Sequence, residues 1–495
     1  LIVQITLLCR DSEAPTLKGS ASTIGIIKSL IGHFDLDPNR VFDIVLECFE
    51  LQPDNDMFIE LIPIFPKRME VSNPVPYGLY RLAALLVKQN FIDLDSIYTH
   101  LLPKDEEAFE HYSTFSSNRL DEANKIGKIN LAATGKDLMD DEKMGDVTID
   151  FFAAIAMETD AIGERKSELH NSQTLGLLTG FLSVDDWYHA HVLFERLSPL
   201  NPVEHMQICD SLFRLIEKSI SSPYDVIRQA HLQNPGSSTG GSTNAMDVDN
   251  PSGHNSFIDL PKEIFQMLAC TGPFLYRDTM LLQKVCRVLR GYYLSALELV
   301  SHGDGALSPQ FDVIRNPHLH LKEARLRVED ALGACLLPSL QLVPANPAVG
   351  QEIWELMSLL PYEGRYHLYG EWEKDDDRYP MLLAARQTAK LDTRRILKRL
   401  AKENLKQLGR MVAKLAHANP MTVLRTIVHQ IEAYRHMITP VVDAFKYLTQ
   451  LEYDILEYIV IERLALGGRD KLKDDGLNLS DWLQSLASFW GHLYV

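Results

Sequence analysis

Three short patterns in this sequence contain residue types that catalysis or metal binding requires. Gly236–Gly240, with the order Gly-Ser-Ser-Thr-Gly, has the spacing of a nucleophile elbow, in which a serine is held on a strained strand-to-helix turn. Two histidine pairs beside carboxylates offer metal ligands: His189 with His191, and His318 with His320. The chemistry they would support is acyl transfer in the first case and metal binding in the other two.

None of these patterns lies in a setting that its chemistry needs. The Gly-Ser pattern falls within residues 234–256, which are rich in Gly, Ser, Thr, Asn and Pro, so no strand or oxyanion hole supports it. On a helix, residues two apart point about 200° away from each other, so neither histidine pair can share one ion. Phosphate-binding loops of the G-x-x-x-x-G-K-[ST] and G-x-G-x-x-G types are missing from the sequence. The sequence therefore predicts no enzyme, no cofactor and no small-molecule substrate.

The strongest charge pattern is a row of basic residues between Arg386 and Lys414. Lys or Arg recurs at every fourth position, and Arg395 and Arg399 widen the row. On one α-helix a four-residue step overshoots a turn by about 40°, so the charges would form a slowly winding ridge. The chain as a whole has a formal charge of −18, with 49 Lys and Arg against 67 Asp and Glu. Because an acidic body repels a phosphate backbone, any nucleic-acid contact has to be confined to a local positive surface.

Two interpretations of this ridge remain open on the sequence alone. Charged residues four apart on a helix are typical of a solvated face, and the acids within 371–377 would neutralise part of the charge. Acids are scarce within the row itself, however, and unrelieved like charges repel by about 0.2–0.5 kcal/mol per pair. As a binding surface, the ridge would hold RNA phosphate or an acidic protein surface through eight residues: Arg394, Arg395, Lys398, Arg399, Lys402, Lys406, Arg410 and Lys414.

The segments that must position these residues have helical patterns almost throughout. Apolar residues recur at helical spacing over stretches of about 10–20 residues separated by Pro, Asn and Asp, and alternating strand patterns are nearly absent. No repeat has a constant period. The fold class predicted is all-α, an irregular HEAT-like α-solenoid of stacked helix pairs with a disordered internal linker. The six cysteines are widely scattered, without zinc or redox spacing.

Composition divides the chain into six segments. They are helical regions at 1–130, 147–233 and 257–380, an acidic loop at 131–146, the linker at 234–256, and a further helical domain at 381–495. The sequence contains no apolar run long enough to span a bilayer, so we expect no membrane contact. Because the chain starts without Met and ends within an apolar helical pattern, we expect it to be a fragment of a longer protein.

Several long runs give the chain a resemblance to a known family. They are Tyr362–Trp372, Lys402–Pro420, Ile438–Leu448, Tyr453–Tyr458 and Ser480–Phe489, with weaker likeness at Leu94–Leu102 and Leu175–Leu178. Through these runs the chain resembles the THO complex subunit 2 family over most of its length.

The resemblance implies a nuclear, non-catalytic scaffold of the THO core of the TREX assembly, which couples transcription elongation and processing to mRNA export. It implies other THO subunits as partners, especially subunit 1, and a DEAD-box RNA helicase. The helicase would dock on a middle domain similar to that of translation initiation factor 4G scaffolds, which would begin within Thr393 to Val495. mRNA is a further candidate partner. The alternative is a helical module that binds RNA or single-stranded DNA directly through the ridge at 386–414.

Overall fold

The computed structural model describes residues 77–90, 93–132, 153–233, 259–301, 316–372, 379–400, 404–467, 470–473 and 478–493, with isolated positions at 26, 29–30, 32–35 and 374. Within these residues there are nineteen α-helices, and extended backbone pairs only at an isolated bridge between Leu472 and Leu479. The predicted all-α, solenoid-like class is confirmed. The predicted linker at 234–256, including the Gly236–Gly240 pattern, and residues 133–146 of the predicted acidic loop lie outside the described residues.

The chain divides into two compact units, each of which combines two separate stretches of sequence. Unit 1 consists of residues 1–116 and 159–216, and unit 2 consists of residues 117–158 and 217–495. These units reflect packing and not composition, so the six segments proposed from the sequence stay predictions.

Seven of the described helices begin before residue 234. In chain order they are α1 (Tyr77–Lys88), α2 (Leu94–Tyr98), α3 (Asp105–Ala132), α4 (Ala153–Asn171), α5 (Gln173–Ser183), α6 (Trp187–Arg196) and α7 (Met206–Gln233). Short polar side chains start several of them, because a side-chain oxygen before the first turn can accept one of its unpaired N–H groups. Asp93, Ser172 and Asp186 do this for α2, α5 and α6.

Helices α1 and α5 pack together unusually closely in unit 1. Gly176 and Gly180, one turn apart on α5, face Tyr80 of α1. A Cβ atom added to Gly180 would clash with the carbonyl oxygen of Tyr80, and one added to Gly176 would clash with its ring. This packing leaves Tyr80 5% exposed, and burial raises the pKa of its hydroxyl to about 12. The absence of side chains at the two glycines is therefore what permits the contact.

The other twelve described helices follow residue 259, in unit 2. They are α8 (Lys262–Thr271), α9 (Thr279–Ser301), α10 (Pro317–Ala331), α11 (Leu337–Leu340), α12 (Pro347–Met357), α13 (Tyr362–Trp372), α14 (Pro380–Arg399), α15 (Leu405–Ala418), α16 (Pro420–Ala433), α17 (Ile438–Phe445), α18 (Gln450–Ala465) and α19 (Asp481–Leu493). Proline at the first helical position starts α10, α12, α14 and α16, where its missing N–H costs no hydrogen bond.

Helix α16 lies at the centre of the last six helices. It packs against α14, α15, α18 and α19, and α17 packs in turn on α15 and α19. Six apolar side chains of α16 are fully buried: Met421, Val423, Leu424, Ile427, Val428 and Ile431. The core of this part of unit 2 is therefore built around one helix, α16.

Two helix boundaries depart from what local sequence favours. Proline usually ends a helix, but α7 continues through Pro223, and Ile216 and Ile220 on the preceding turns are buried. The helices on either side of Ser172 are separate, although no proline or glycine stands between them. There the Ser172 side chain caps α5, and the backbone N–H of Gln173 donates to the carbonyl oxygen of Leu102 over 2.9 Å. A distant hydrogen bond thus replaces one that a continuous helix would have made.

We expect Gly180→Ala to loosen the packing of α1 on α5. The added methyl group would meet a backbone carbonyl that cannot move unless the helices separate, so the cost should be about 1–3 kcal/mol. Amide hydrogen exchange of α1, read by mass spectrometry, should become faster. Gly163→Ala on α4 is the control, because a Cβ there meets no atom within 4 Å. Equal exchange of α1 in the two variants would contradict the close-packing account.

Candidate interaction surface

Helix α14 carries the first half of the basic row, but its first member points inward. Arg386 is 7% exposed and donates hydrogen bonds to the carbonyl oxygen of Trp372 over 3.0 Å and to Oε1 of Gln341 over 3.3 Å. Its guanidinium is therefore used inside unit 2. The surface row begins four residues later, at the exposed Lys390.

The basic row is not carried by one helix, so the predicted ridge is wrong in this respect. Helix α14 ends at Arg399 and α15 begins at Leu405, and Nδ2 of Asn404 donates to the carbonyl oxygen of Arg399 over 2.7 Å. Lys402, one of the eight predicted site residues, lies outside the described residues. Among the described residues, the charges therefore lie on two helices, α14 and α15.

The group on α14 contains four of the predicted residues. Arg394 is half-buried, and Arg395, Lys398 and Arg399 are exposed. Arg395 is engaged by the protein itself, because its Nη1 atom lies 3.1 Å from Oδ1 of Asp392, whose side chain is 3% exposed. Lys398 and Arg399 occupy the last turn of α14, where cations are favoured by the negative end of the helix dipole. Part of this group is thus explained by helix stability alone.

On α15 the basic residues and the buried apolar residues lie on opposite faces of the helix. Lys406, Arg410 and Lys414 are all exposed at successive fourth positions. The opposite face buries Leu408, Val412, Leu415 and Ala416. Within the part of the chain that the structure describes, Lys406 and Lys414 form no ion pair. The buried face holds α15 in place, while the cations stay available to an outside partner.

Two residues next to this group were not among the predicted site residues. The Nζ atom of Lys446 lies 5.4 Å from the ring centroid of Tyr447, and Cζ of Arg410 lies 5.7 Å from the same centroid. Lys446 and Tyr447 lie outside the basic row at 386–414, so its spacing does not point to them. The signal that could have revealed them is tertiary, since residues 410 and 446 are far apart in sequence.

Two contacts fix the position of α15 relative to its neighbours. A Cβ atom added to Gly409 would lie 3.3 Å from Cα of Ala444 and 3.3 Å from Cε2 of Tyr447. At the other end of the helix, Nδ1 of His417 lies 2.8 Å from Oε1 of Glu452. Glu452 is buried and also completes the capping box that starts α18. The basic face of α15 therefore belongs to a helix that these two contacts hold in position.

At least one histidine of each candidate metal-binding pair has a structural partner. Nδ1 of His189 lies 2.7 Å from Oδ2 of Asp186, and its ring stacks on Phe181. The ring of His320 packs edge-on against Tyr292. Among the residues that the structure describes, no group of three or more His, Cys, Asp or Glu is arranged to hold a metal ion. In the same residues, no helix has the length and apolar character needed to cross a bilayer.

We expect Arg395→Gln to destabilise unit 2, unlike Lys398→Gln one turn later. Removing Arg395 takes away a cation that lies 3.1 Å from the buried Asp392 carboxylate, at a cost of about 1 kcal/mol because the pair is half-exposed. Lys398 forms no ion pair with another described residue and should change stability by less than about 0.5 kcal/mol. Thermal unfolding of the two variants separates the cases. Identical melting curves would mean that Arg395 is as free for ligand binding as Lys398.

Comparison with known proteins covers the chain almost from end to end. The family model described as "THO complex subunit 2 N-terminus" matches residues 1–66, 65–255 and 249–410. A second model, described as "Transcription- and export-related complex subunit", matches residues 412–487. The junction between the two falls within α15, so the exposed basic face lies where both models meet.

Curated relatives show the same likeness. THO complex subunit 2 of Arabidopsis thaliana is 70% identical over 503 residues, covering 99% of this chain and 27% of that protein. The mouse protein of the same name is 34% identical over 488 residues, covering 94% of this chain and 28% of that protein. The chain thus spans little more than a quarter of the length of these relatives. With almost its whole length matched by the family models, this chain belongs to the THO complex subunit 2 family.

Proposed function

We propose that this chain is a scaffold segment of the THO complex and is not itself an enzyme. Its helices would hold other THO subunits, especially subunit 1, and would help to dock a DEAD-box RNA helicase. In this role the chain acts in the nucleus, where the complex couples transcription to mRNA processing and export. Membership of the family supports the assignment to the complex. The partners and the coupling are inferred for the whole protein and extended to this segment.

The observation that carries the proposal is the basic face of α15 and the last turn of α14. Lys398, Lys406 and Lys414 are exposed, whereas the chain that bears them has a formal charge of −18. A local positive face on an acidic body selects partners by charge, because complementary potentials speed association and like charges reject wrong partners. The opposite face of α15 is buried, so this surface is presented with little conformational freedom to lose on binding.

We therefore assign the eight predicted residues unequal parts in this surface. Lys398, Lys406, Arg410 and Lys414 would contact the partner directly. Arg395 would mainly hold Asp392. The remaining three, Arg394, Arg399 and Lys402, would add to the local potential.

Charge reversal of Lys398, Lys406 and Lys414 to Glu should weaken capture of a THO subunit or the helicase. The chain would be immobilised and tested with recombinant THO subunit 1 and with the helicase, each added alone, by biolayer interferometry. Loss of three favourable charges should slow association at least about ten-fold at low salt, with a smaller effect at about 0.5 M salt.

A matched triple variant controls for net charge. Lys125, Lys262 and Lys322 are also exposed, and their reversal to Glu changes the total charge by the same amount. This variant should associate at nearly the wild-type rate. If both triple variants bind alike, the basic surface has no part in docking, although the scaffold role elsewhere in the chain would stand.

A second candidate function is direct binding of RNA through the same surface. The specific observation in its favour is the absence of acids from the exposed row Lys406, Arg410 and Lys414. A salt-bridged surface helix normally alternates sign, whereas a phosphate-binding face does not.

RNA binding predicts a steep salt dependence of the affinity. Each phosphate that a cation neutralises contributes about −0.7 to the slope of log K against log salt for a single strand. Reversing Lys398, Lys406 and Lys414 should therefore reduce the steepness by about two. Titration of a labelled single-stranded RNA between 50 and 200 mM salt, about the range over which such contacts are lost, measures this slope. A slope that is the same in wild type and variant would rule out RNA phosphate as the ligand of this surface.

A further inference from the structure

Tyr447 lies beside the basic residues of α15, where it packs near Gly409 and is still partly exposed. Its ring is half-buried and rests near Gly409, as the 3.3 Å spacing from an added Cβ shows. Two cations approach the Tyr447 ring. Cζ of Arg410, the residue after Gly409 on α15, lies 5.7 Å from the ring centroid, and Nζ of Lys446, the residue before Tyr447, lies 5.4 Å from it. We call Lys406, Arg410, Lys414, Lys446 and Tyr447 the basic–aromatic cluster.

The spacing of the charges in this cluster is informative. Residues four apart on an α-helix are separated by about 6 Å along its axis, so Lys406, Arg410 and Lys414 form an evenly spaced line. That interval is close to the separation of successive phosphates in an extended nucleic-acid strand. Two acids lie three residues from the cluster in sequence: the exposed Asp443 before Lys446, and Glu403 before Lys406, which lies outside the described residues. The four cations of the cluster outnumber these two acids, so the local charge stays positive.

The four basic side chains and the Tyr447 ring together favour one class of ligand over the others. A positive line with an aromatic side chain beside it is how proteins bind single-stranded nucleic acid, since cations follow the backbone while bases stack on the ring. A duplex keeps its bases stacked inside and has no use for the ring. An acidic peptide would use the cations but gains nothing specific from an aromatic face.

We propose that the basic–aromatic cluster is a binding site for single-stranded RNA, in which Tyr447 stacks against one base. Lys406, Arg410 and Lys414 contact successive phosphates, and Lys446 pairs with a phosphate on the other side of the ring. On binding, Arg410 leaves the face of Tyr447 for a phosphate and the base takes its place. This inference rests on the second proposed function, RNA binding by the basic surface. It adds that the RNA is single-stranded and that Tyr447 contacts one of its bases.

The test uses the complete 495-residue chain and three labelled probes: a 12-nucleotide oligouridine, a 12-base-pair RNA duplex and a 12-residue glutamate peptide, with sizes of about one to two site lengths. Fluorescence anisotropy gives the affinity for each. Tyr447→Leu, which keeps apolar packing against Gly409 and Ala444, should weaken oligouridine binding by about 5- to 100-fold and leave duplex binding unchanged. Tyr447→Phe, which keeps the stacking face, should bind oligouridine as the wild type does.

Photo-cross-linking provides a measurement that needs no substitution. A 4-thiouridine-containing oligouridine should cross-link to the wild-type chain at Tyr447 or its immediate neighbours, as located by mass spectrometry. Cross-links confined to other regions would overturn the inference, whether or not the leucine variant is folded.

The outcomes separate this inference from the function on which it rests. If Lys406→Glu with Lys414→Glu weakens oligouridine binding but a folded Tyr447→Leu variant binds as tightly as wild type, RNA binding stands and base stacking is wrong. If the chain binds the glutamate peptide but neither RNA, both the inference and the RNA-binding candidate fail, while the protein scaffold remains. Equal loss of single-strand and duplex binding in Tyr447→Leu would also overturn the stacking role.

Discussion

The burial of α16 is the constraint on which the described C-terminal part of unit 2 depends. Leu424, Ile427 and Ile431 are fully buried, and α14, α15, α18 and α19 all pack on this helix. Each such side chain contributes about 1.5–3 kcal/mol when removed from water. A helix surrounded in this way can tolerate no charge along its length except where it is paired. The surrounding helices consequently have one apolar face each, and their charged residues are forced to the outside.

Two of the charge pairs in this part of unit 2 are joined by two hydrogen bonds each. Nε and Nη2 of Arg365 each donate to a separate oxygen of Asp454 over 2.9 Å, and the Tyr369 hydroxyl donates to the same carboxylate over 2.7 Å. Burial, followed by the charge of Asp454, raises the pKa of Tyr369 well above its ordinary value, so this hydroxyl stays a donor. Arg463 makes a similar bidentate contact, in which Nε and Nη2 donate to the two carboxylate oxygens of the buried Glu432. Such pairs set the register between helices, because breaking one leaves a buried charge uncompensated.

The basic residues of the row fall into two kinds, according to whether other groups of the protein pair with their charge. Arg386 lies inside and is satisfied by backbone and amide oxygens, and Arg395 is held by a buried aspartate. Lys406 and Lys414 have no such partner within the described residues, and they lie on the outer face of a helix whose inner face is buried. Charges that the fold does not use are the ones left for a ligand. The interaction surface that we propose is therefore smaller than the basic row, and it adds Lys446 and Tyr447 from another part of the chain.

The sequence by itself determined the all-α class, because helical spacing of apolar residues and proline-marked starts such as Pro380 and Pro420 are local properties. It also located the basic row, since charge is countable residue by residue. Only the tertiary structure decided that Arg386 is buried, that the row breaks before Asn404, and that Tyr447 joins it. The first and third outcomes depend on which helix faces meet, because the contacts responsible, such as Arg386 with Gln341 and Arg410 with Tyr447, link residues that are tens of positions apart in the chain.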